Sequence, residues 1–466
     1  MNRRPVLMNR RPVLLMDLRP VLTNGRRLLL MNRGPVLMNR RLSRFMNRQP
    51  GRPSASDAGS SSAAGVAPHS SAATAPRPAS DAGAGGRDRS IDTVRAVAIV
   101  GVVLGHWLVT GLVMHPDGLH TTSPLTVLPG AAPVSWVLQT LGLFFFAGGF
   151  AATRAGSTTA PTRATGQVFA VRPRRARTVT TATRAGAAGR TCKAVVLFLA
   201  SWAVALFLGA AAGVSGVTLH TAGKLAVGPL WFLLPYFVLL LLTPALRRLK
   251  IPWLFAGVAV AIAAVAALDC MSPAGDGDNG STIAVLAAAL PASIGHLAVV
   301  AAWAVPWCLG VAVARGRLAK RRHAVLLAVA GSASLIALVT VGGYPVSAVG
   351  VPGAGRSNLD PPSLAAVALA VAQVGIFLLL RSPARRPRRW VTALNRAALP
   401  VYLGHQSVLL LAAGASGPLG LPGMIGTPGD DSWLAWRVAW LPVLAVLLAA
   451  AVRGGRALHE SRTLRR

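Results

Sequence analysis

The chain has 466 residues, 53% of them hydrophobic and only 13% charged, with a mean hydropathy of +0.54. Apolar runs of about twenty residues exclude an ordinary soluble protein, and nothing between them has the alternating or amphipathic pattern of a second core. A formal net charge of +35 would suit a nucleic-acid binder. The basic residues stand instead in short clusters between apolar runs, as membrane topology distributes them, so the bilayer is the expected partner and nucleic acid is not.

Residues 1–53 repeat one heptad: MNRRPVL twice, then MDLRPVL, MNRGPVL, MNRRLSR and MNRQPGR. A proline in most copies forbids a continuous coiled coil. The segment reads as a translated nucleotide repeat ahead of the native start or, alternatively, as a polybasic arm drawn to anionic lipid. Residues 54–86, rich in Ser, Ala, Gly and Pro, cannot bury enough apolar surface to order themselves. The expectation for 1–86 is a disordered basic leader, and no secretory signal is expected because no apolar run follows the basic start.

Ten spans are predicted, at 94–114, 134–153, 192–213, 228–246, 253–268, 288–314, 323–342, 363–380, 397–414 and 434–452; the fifth is the shortest. The fold class is therefore all-α, a polytopic bundle of about ten transmembrane helices in one membrane domain over 87–452, with a basic tail at 453–466. Alternate connections are rich in cations: Arg154 to Lys193, then Arg247, Arg248 and Lys250, then Arg315 to Arg322, then Arg381 to Arg396, then the tail. The intervening connections hold only Lys224 and Arg356. The positive-inside rule then places both termini in the cytoplasm of a multi-pass cell-membrane protein. Cys192, Cys270 and Cys308 have no metal spacing and make no disulfide framework.

The first span carries Asp92, Arg95 and His106. At about 100° per residue, the step from Arg95 to His106 returns to within roughly 20° of one azimuth, on a stripe about 16 Å long. Arg95 falls at the cytoplasmic edge and His106 beyond the bilayer midplane. An ionisable residue within a span costs a few kcal/mol and marks function. Arg95 reads either as an interfacial anchor or as a site residue. His106 reads either as a neutral histidine bonded to a neighbouring helix or as a base that takes a proton from a hydroxyl. Asp92 is expected to cap the helix N-terminus. His405, in LPVYLGHQ, lies at a depth that allows it to meet the stripe, whereas His296 reads as interfacial. Arg172, Arg174, Arg175 and Arg177 are first of all topology determinants, but guanidinium forks can also hold the phosphates of a nucleotide-bearing donor. The chain has no phosphate-cradling glycine loop, no nucleophile elbow and no metal-spaced His/Cys cluster, which favours chemistry needing one base.

SIDTVRAVAIVGVVLGHW resembles the first-span motif of the membrane-bound acyltransferase 3 family, an arginine followed after ten residues by a histidine. LGLFFFAGGFAATR resembles the family's Phe-rich second span, GPLWFLLPYFVLLLLTPALRRL its Leu-Trp-Phe-Leu span, and LPVYLGHQ its late Tyr-Leu-x-His element. YPVSAVGVPGAGRSNLDPPSLAAVALAVAQVGIFLLLR is similar to an eighth-span region of the actinobacterial branch. The resemblance covers roughly 87–452 and implies an O-acyltransferase with His106 as the catalytic histidine and Arg95 supporting the site or the donor. Asp92, Tyr402 and His405 are further candidate site positions. The family's Arg-x-x-Arg element has two registers here, Arg172 with Arg175 or Arg174 with Arg177. Acyl-CoA is the implied cytoplasmic donor, used as a substrate, with no tightly bound cofactor or metal. The implied acceptor is a hydroxyl of a glycan, a lipid-linked molecule or a secondary metabolite, and the implied group is acetyl. One departure stands in the sixth span, where Pro306, Trp307 and Cys308 precede Leu309-Gly310 and the branch has His-Gln. The competing readings are a transporter or flippase, in which the stripe is a substrate or proton pathway, and a non-catalytic protein that keeps the fold.

Overall fold

The computed structural model describes residues 88–155, 174–271, 292–353, 355–381, 388–429 and 431–464; the leader lies outside the described residues. Ten helices correspond to the ten predicted spans: α1 (Arg89–Val109), α3 (Leu141–Ala155), α4 (Arg174–Ala211), α6 (Leu233–Leu246), α7 (Ile251–Met271), α8 (Ala292–Ala314), α9 (Arg321–Thr340), α10 (Leu364–Leu380), α12 (Ala398–Ser416) and α13 (Asp431–Leu464). Among the described residues nine helical stretches are long and apolar enough to cross a membrane, and α10 is a shorter apolar helix of 17 residues. The fifth span, shortest in the sequence reading, is a full helix of 21 residues. As α3 and α6 are each extended by preceding helical turns, the shortest continuous helical stretch is the eighth, cut off by its Ser363 N-cap, whose side chain accepts from the Ala366 amide. Most of α10 is buried, so it is solvated by protein rather than by lipid along much of its length.

Among the described residues there are also three short α-helices: α2 (Val134–Leu138), α5 (Gly216–Val227) and α11 (Arg389–Arg396). A two-stranded hairpin, β1 (Gly111–His115) and β2 (Gly118–Thr122), follows α1, with Gly111 opposite Thr122 and His115 opposite Gly118. The first span was expected to run to 114. It stops at Val109 because Thr110 is extended, and the His-Pro-Asp-Gly turn returns the chain with Gly118 at φ 142°, a backbone conformation that glycine adopts at least cost.

The start of α1 also differs. Its N-cap is Asp88, not Asp92: the Asp88 carboxylate accepts from the Ser90 amide at 3.0 Å and from the Ser90 hydroxyl at 2.6 Å. The helix therefore begins five residues before the predicted 94, and Asp92 lies within its first turn, where a carboxylate still favours the helix dipole. At about 1.5 Å per residue the helix is roughly 31 Å long, close to the thickness of a hydrocarbon core. Arg95 thus sits nearly two turns inside it, and His106 is in its last turn.

The core is built on α3. Its FFFAGGF segment buries Phe145 and Phe146 completely, and Gly149, with Gly310 of α8, lets the two helices come to backbone contact. A side chain at Gly149 would meet the Trp307 carbonyl, and one at Gly310 the Phe146 carbonyl. Small residues serve α9 and α10 in the same way, with Gly331 on Ala372 and Gly375 on Ala328, as close helix crossings in membranes require. Peripheral helices differ in kind: none of the apolar part of α4, Thr191–Ala211, is buried, so lipid is its solvent.

The connections gather at two ends. At one, Arg315 donates to the Leu249 carbonyl at 2.8 Å and Asn395 donates to the Asp92 carbonyl at 2.7 Å. That end collects the cation-rich connections. At the other, the Leu119 amide donates to the Thr218 hydroxyl, the Gly426 amide to the Leu112 carbonyl, and the Leu364 amide to Asp269.

Candidate active site

His106 and His405 meet. His106 Nδ1 lies 2.6 Å from His405 Nε2, and the two rings are nearly parallel, 10° apart with centroids at 4.9 Å. Two further bonds hold the pair in register. The Trp107 indole donates to the His405 carbonyl at 3.0 Å, and His405 Nδ1 lies 2.7 Å from the Tyr402 carbonyl. His405 is fully buried in α12, whereas His106 is only half-buried and lines a cavity of about 680 Å³.

That cavity lies toward the hairpin end of α1, along Val102, Gly105, His106, Val109 and Thr110. Its wall is largely apolar, with Leu138, Leu230, Val299 and Val349; Gln139, Asp360 and Trp231 add polar or aromatic groups. His296, expected at the interface, lines the same cavity. Asp360 and Gln139 were not singled out in the sequence: Asp360 lies in an exposed connection and Gln139 is a lone amide within the predicted second span, and neither carries a periodic signal.

Arg95 lies elsewhere. It lines a second cavity of about 700 Å³ with Ile99, Phe144, Tyr236, Pro244 and Arg247, its guanidinium 5.9 Å from the centre of the Phe144 ring. Thr191 lines this cavity too. The helix that carries Thr191 continues toward its N-terminus through Arg190, Arg177, Arg175 and Arg174. Arg172 lies outside the described residues, and Arg174, Arg175 and Arg177 are described only as helical backbone.

The stripe on α1 is thus divided between two cavities, which share one of the described residues. Tyr402 lines both; its hydroxyl donates to the Pro229 carbonyl at 2.5 Å and its ring packs on Phe232 at 4.3 Å. The segment Gly228–Phe232 is a 3-10 turn whose successive residues face opposite ways, Leu230 and Trp231 to the His106 cavity and Phe232 to the Arg95 cavity. Asp92 lines neither cavity.

The departure in the sixth span is a packing feature. Trp307 is fully buried, donates its indole N–H to the Thr243 hydroxyl at 3.1 Å and packs on Tyr236. Neither Pro306, Trp307 nor Cys308 lines either cavity. Among the described residues no group of His, Cys, Asp or Glu could hold a metal ion.

A polytopic helical bundle with one cavity lined by a histidine that is paired to a second, buried histidine, and with arginines in another cavity, defines a multi-pass membrane protein with a built polar centre. The chain belongs to the acyltransferase 3 family, whose acyltransferase domain matches residues 88–452. It is a membrane acyltransferase. None of the curated proteins and none of the solved structures matches it.

Proposed function

We propose that the protein is an O-acyltransferase that moves an acyl group, acetyl in the first instance, from cytoplasmic acyl-CoA to a hydroxyl of a glycan, lipid-linked or secondary-metabolite acceptor. The observation that carries this reading is the pair of cavities meeting at Tyr402, one lined by Arg95 and Arg247 and the other by His106. Guanidinium groups suit the phosphates of a CoA donor. The Arg-x-x-Arg element before the apolar part of α4 serves the donor in one of its two registers, Arg172 with Arg175 or Arg174 with Arg177. The cation-rich end of the bundle is then the cytoplasmic one.

In this mechanism His106 accepts the proton of the acceptor hydroxyl as its oxygen attacks the thioester carbonyl. The tetrahedral oxyanion collapses with cleavage of the C–S bond, and the CoA sulfur leaves as a thiol with the proton returned by His106. Arg95 serves the donor rather than the oxyanion, because it belongs to the other cavity. Thr110 and Gln139 supply hydrogen-bond donors to the wall beside His106, where negative charge develops. The predominantly apolar wall favours an acceptor with an apolar body beside its hydroxyl.

The test is CoA release by purified protein in proteoliposomes, with acetyl-CoA supplied at the cation-rich face and candidate acceptors at either face. Acceptor-dependent release with the acyl group recovered as an ester supports the reading. Acceptor-independent hydrolysis alone, or transfer to an amine, would overturn it.

A further inference from the structure

Histidine can present either ring nitrogen as its base, and which one is free depends on the hydrogen bond the other makes. Here the chain of bonds settles the choice. A backbone carbonyl only accepts, so His405 Nδ1, 2.7 Å from the Tyr402 carbonyl, is the donor of that bond. The neutral His405 ring then has its lone pair on Nε2. Nε2 faces His106 Nδ1 at 2.6 Å, so His106 Nδ1 must carry the proton between them. The lone pair of His106 is left on Nε2, for which no described residue is a hydrogen-bond partner, on a ring that lines the cavity.

We propose that His405 is a positioning residue that fixes His106 in the Nδ1–H tautomer and so sets Nε2 as the base facing the acceptor. The inference rests on the acyl-transfer reading for its purpose but not for its geometry. Free imidazoles of histidine favour the opposite tautomer, with the proton on Nε2, which could not accept from a hydroxyl. Donation runs from His106 to His405 to the Tyr402 carbonyl, and among the described residues no carboxylate takes part in it. When His106 takes up the acceptor's proton, its Nδ1–H still donates to His405 Nε2, so the ring keeps its orientation through the reaction. Trp107, bonded to the His405 carbonyl, fixes the same register from the neighbouring position of α1. A one-residue slip of α1 against α12 would break both bonds.

The wild type, His405→Gln and His405→Leu test this, each full length in lipid bilayers, with His106→Gln as the assignment control. Glutamine can accept from His106 Nδ1–H through its side-chain carbonyl, whereas leucine fills the space and accepts nothing. The first readout is nitrogen NMR of labelled histidine, with the His106 signals assigned by their loss in His106→Gln. The second is transfer from acetyl-CoA. We expect a protonated Nδ1 on His106 in the wild type and in His405→Gln, and kcat within about tenfold between them. His405→Leu should move the proton to Nε2 and lower kcat by roughly 10² to 10⁴ with KM for acetyl-CoA unchanged. A wild-type His106 with its proton on Nε2 overturns the assignment whatever the transfer assay reads. So does a His405→Leu protein that keeps both the Nδ1 proton and kcat. If His405→Leu does not fold, failure of His405→Gln to retain the tautomer is the overturning result. A protonated Nδ1 in a wild type that transfers nothing counts against the reaction, while the tautomer assignment stands.

Discussion

The Tyr402 hydroxyl is bonded to the Pro229 carbonyl at 2.5 Å, and that bond spans the wall between the cavity of His106 and the cavity of Arg95. In the proposed reaction the donor binds on the Arg95 side and the acceptor on the His106 side, so that proposal requires this wall to be passed during turnover.

Removal of the Tyr402 ring should therefore join the cavities. In a protein whose native cysteines are replaced, Ala152→Cys places a thiol in the Arg95 cavity. An impermeant thiol reagent applied at the hairpin face should leave it unlabelled when Tyr402 is present and label it in Tyr402→Ala. Tyr402→Phe, which loses only the hydroxyl bond and about 1 kcal/mol with it, should give intermediate labelling. Equal labelling with and without the tyrosine would show that the wall lies elsewhere.

Arg95→Lys separates charge from geometry. A planar fork that grips phosphate is poorly replaced by an ammonium, so KM for acyl-CoA should rise about tenfold while kcat at saturating donor changes little. A fall in kcat with KM unchanged would instead place Arg95 at the reacting carbonyl, against its position in the second cavity.

The contact of α3 with α8 depends on glycine. Gly149→Val should lower stability by about 1–3 kcal/mol or prevent assembly, because its Cβ would strike the Trp307 backbone. Gly257→Ala is the control: the space around Gly257 is open and alanine is the better helix former by about 1 kcal/mol. Thermal unfolding in detergent compares the two, and equal melting temperatures would contradict the packing.

At the hairpin end, Tyr344 donates to Asp269 at 2.8 Å, and Arg356 sits 3.2 Å from the same carboxylate and over the Tyr344 ring. Desolvation, and then the bond to Asp269, push the Tyr344 phenol up to about 12. The folded state holds this proton more tightly than the unfolded chain, whose phenol ionises near 10. Its contribution to stability is therefore full below pH 10 and is lost as pH rises toward 12. Melting temperatures taken from pH 9 to 12 should fall more steeply for the wild type than for Tyr344→Phe; parallel curves would contradict the assignment.

Much of the fold could be read from hydropathy because a span in lipid must bond its own backbone, so each helix is announced by its own run. The ends were less legible. Asp88 rather than Asp92 caps α1 because the Asp-x-Ser pattern that fixes a cap is local and polar, whereas the span was placed from its apolar centre. The turn at Pro116-Asp117-Gly118 carried a hairpin signal that the preceding apolar residues Leu112, Val113 and Met114 obscured. For the site, periodicity correctly put Arg95 and His106 on one side of α1, but it does not report what faces each level of that side. Gly228–Phe232 and Tyr402 come from distant parts of the chain and divide the stripe. The meeting of His106 with His405 depended likewise on the rotation of α12, which an almost uniformly apolar helix does not disclose.

The central claim is that His106 is the base of acyl transfer. The most direct measurement is transfer from labelled acetyl-CoA at saturating acceptor by His106→Ala protein, normalised to folded protein in the bilayer. Removal of a half-buried polar ring should leave insertion intact, and turnover should fall by about 10² to 10⁴ or more. Turnover within a few-fold of the wild type in that variant would contradict the proposed chemistry.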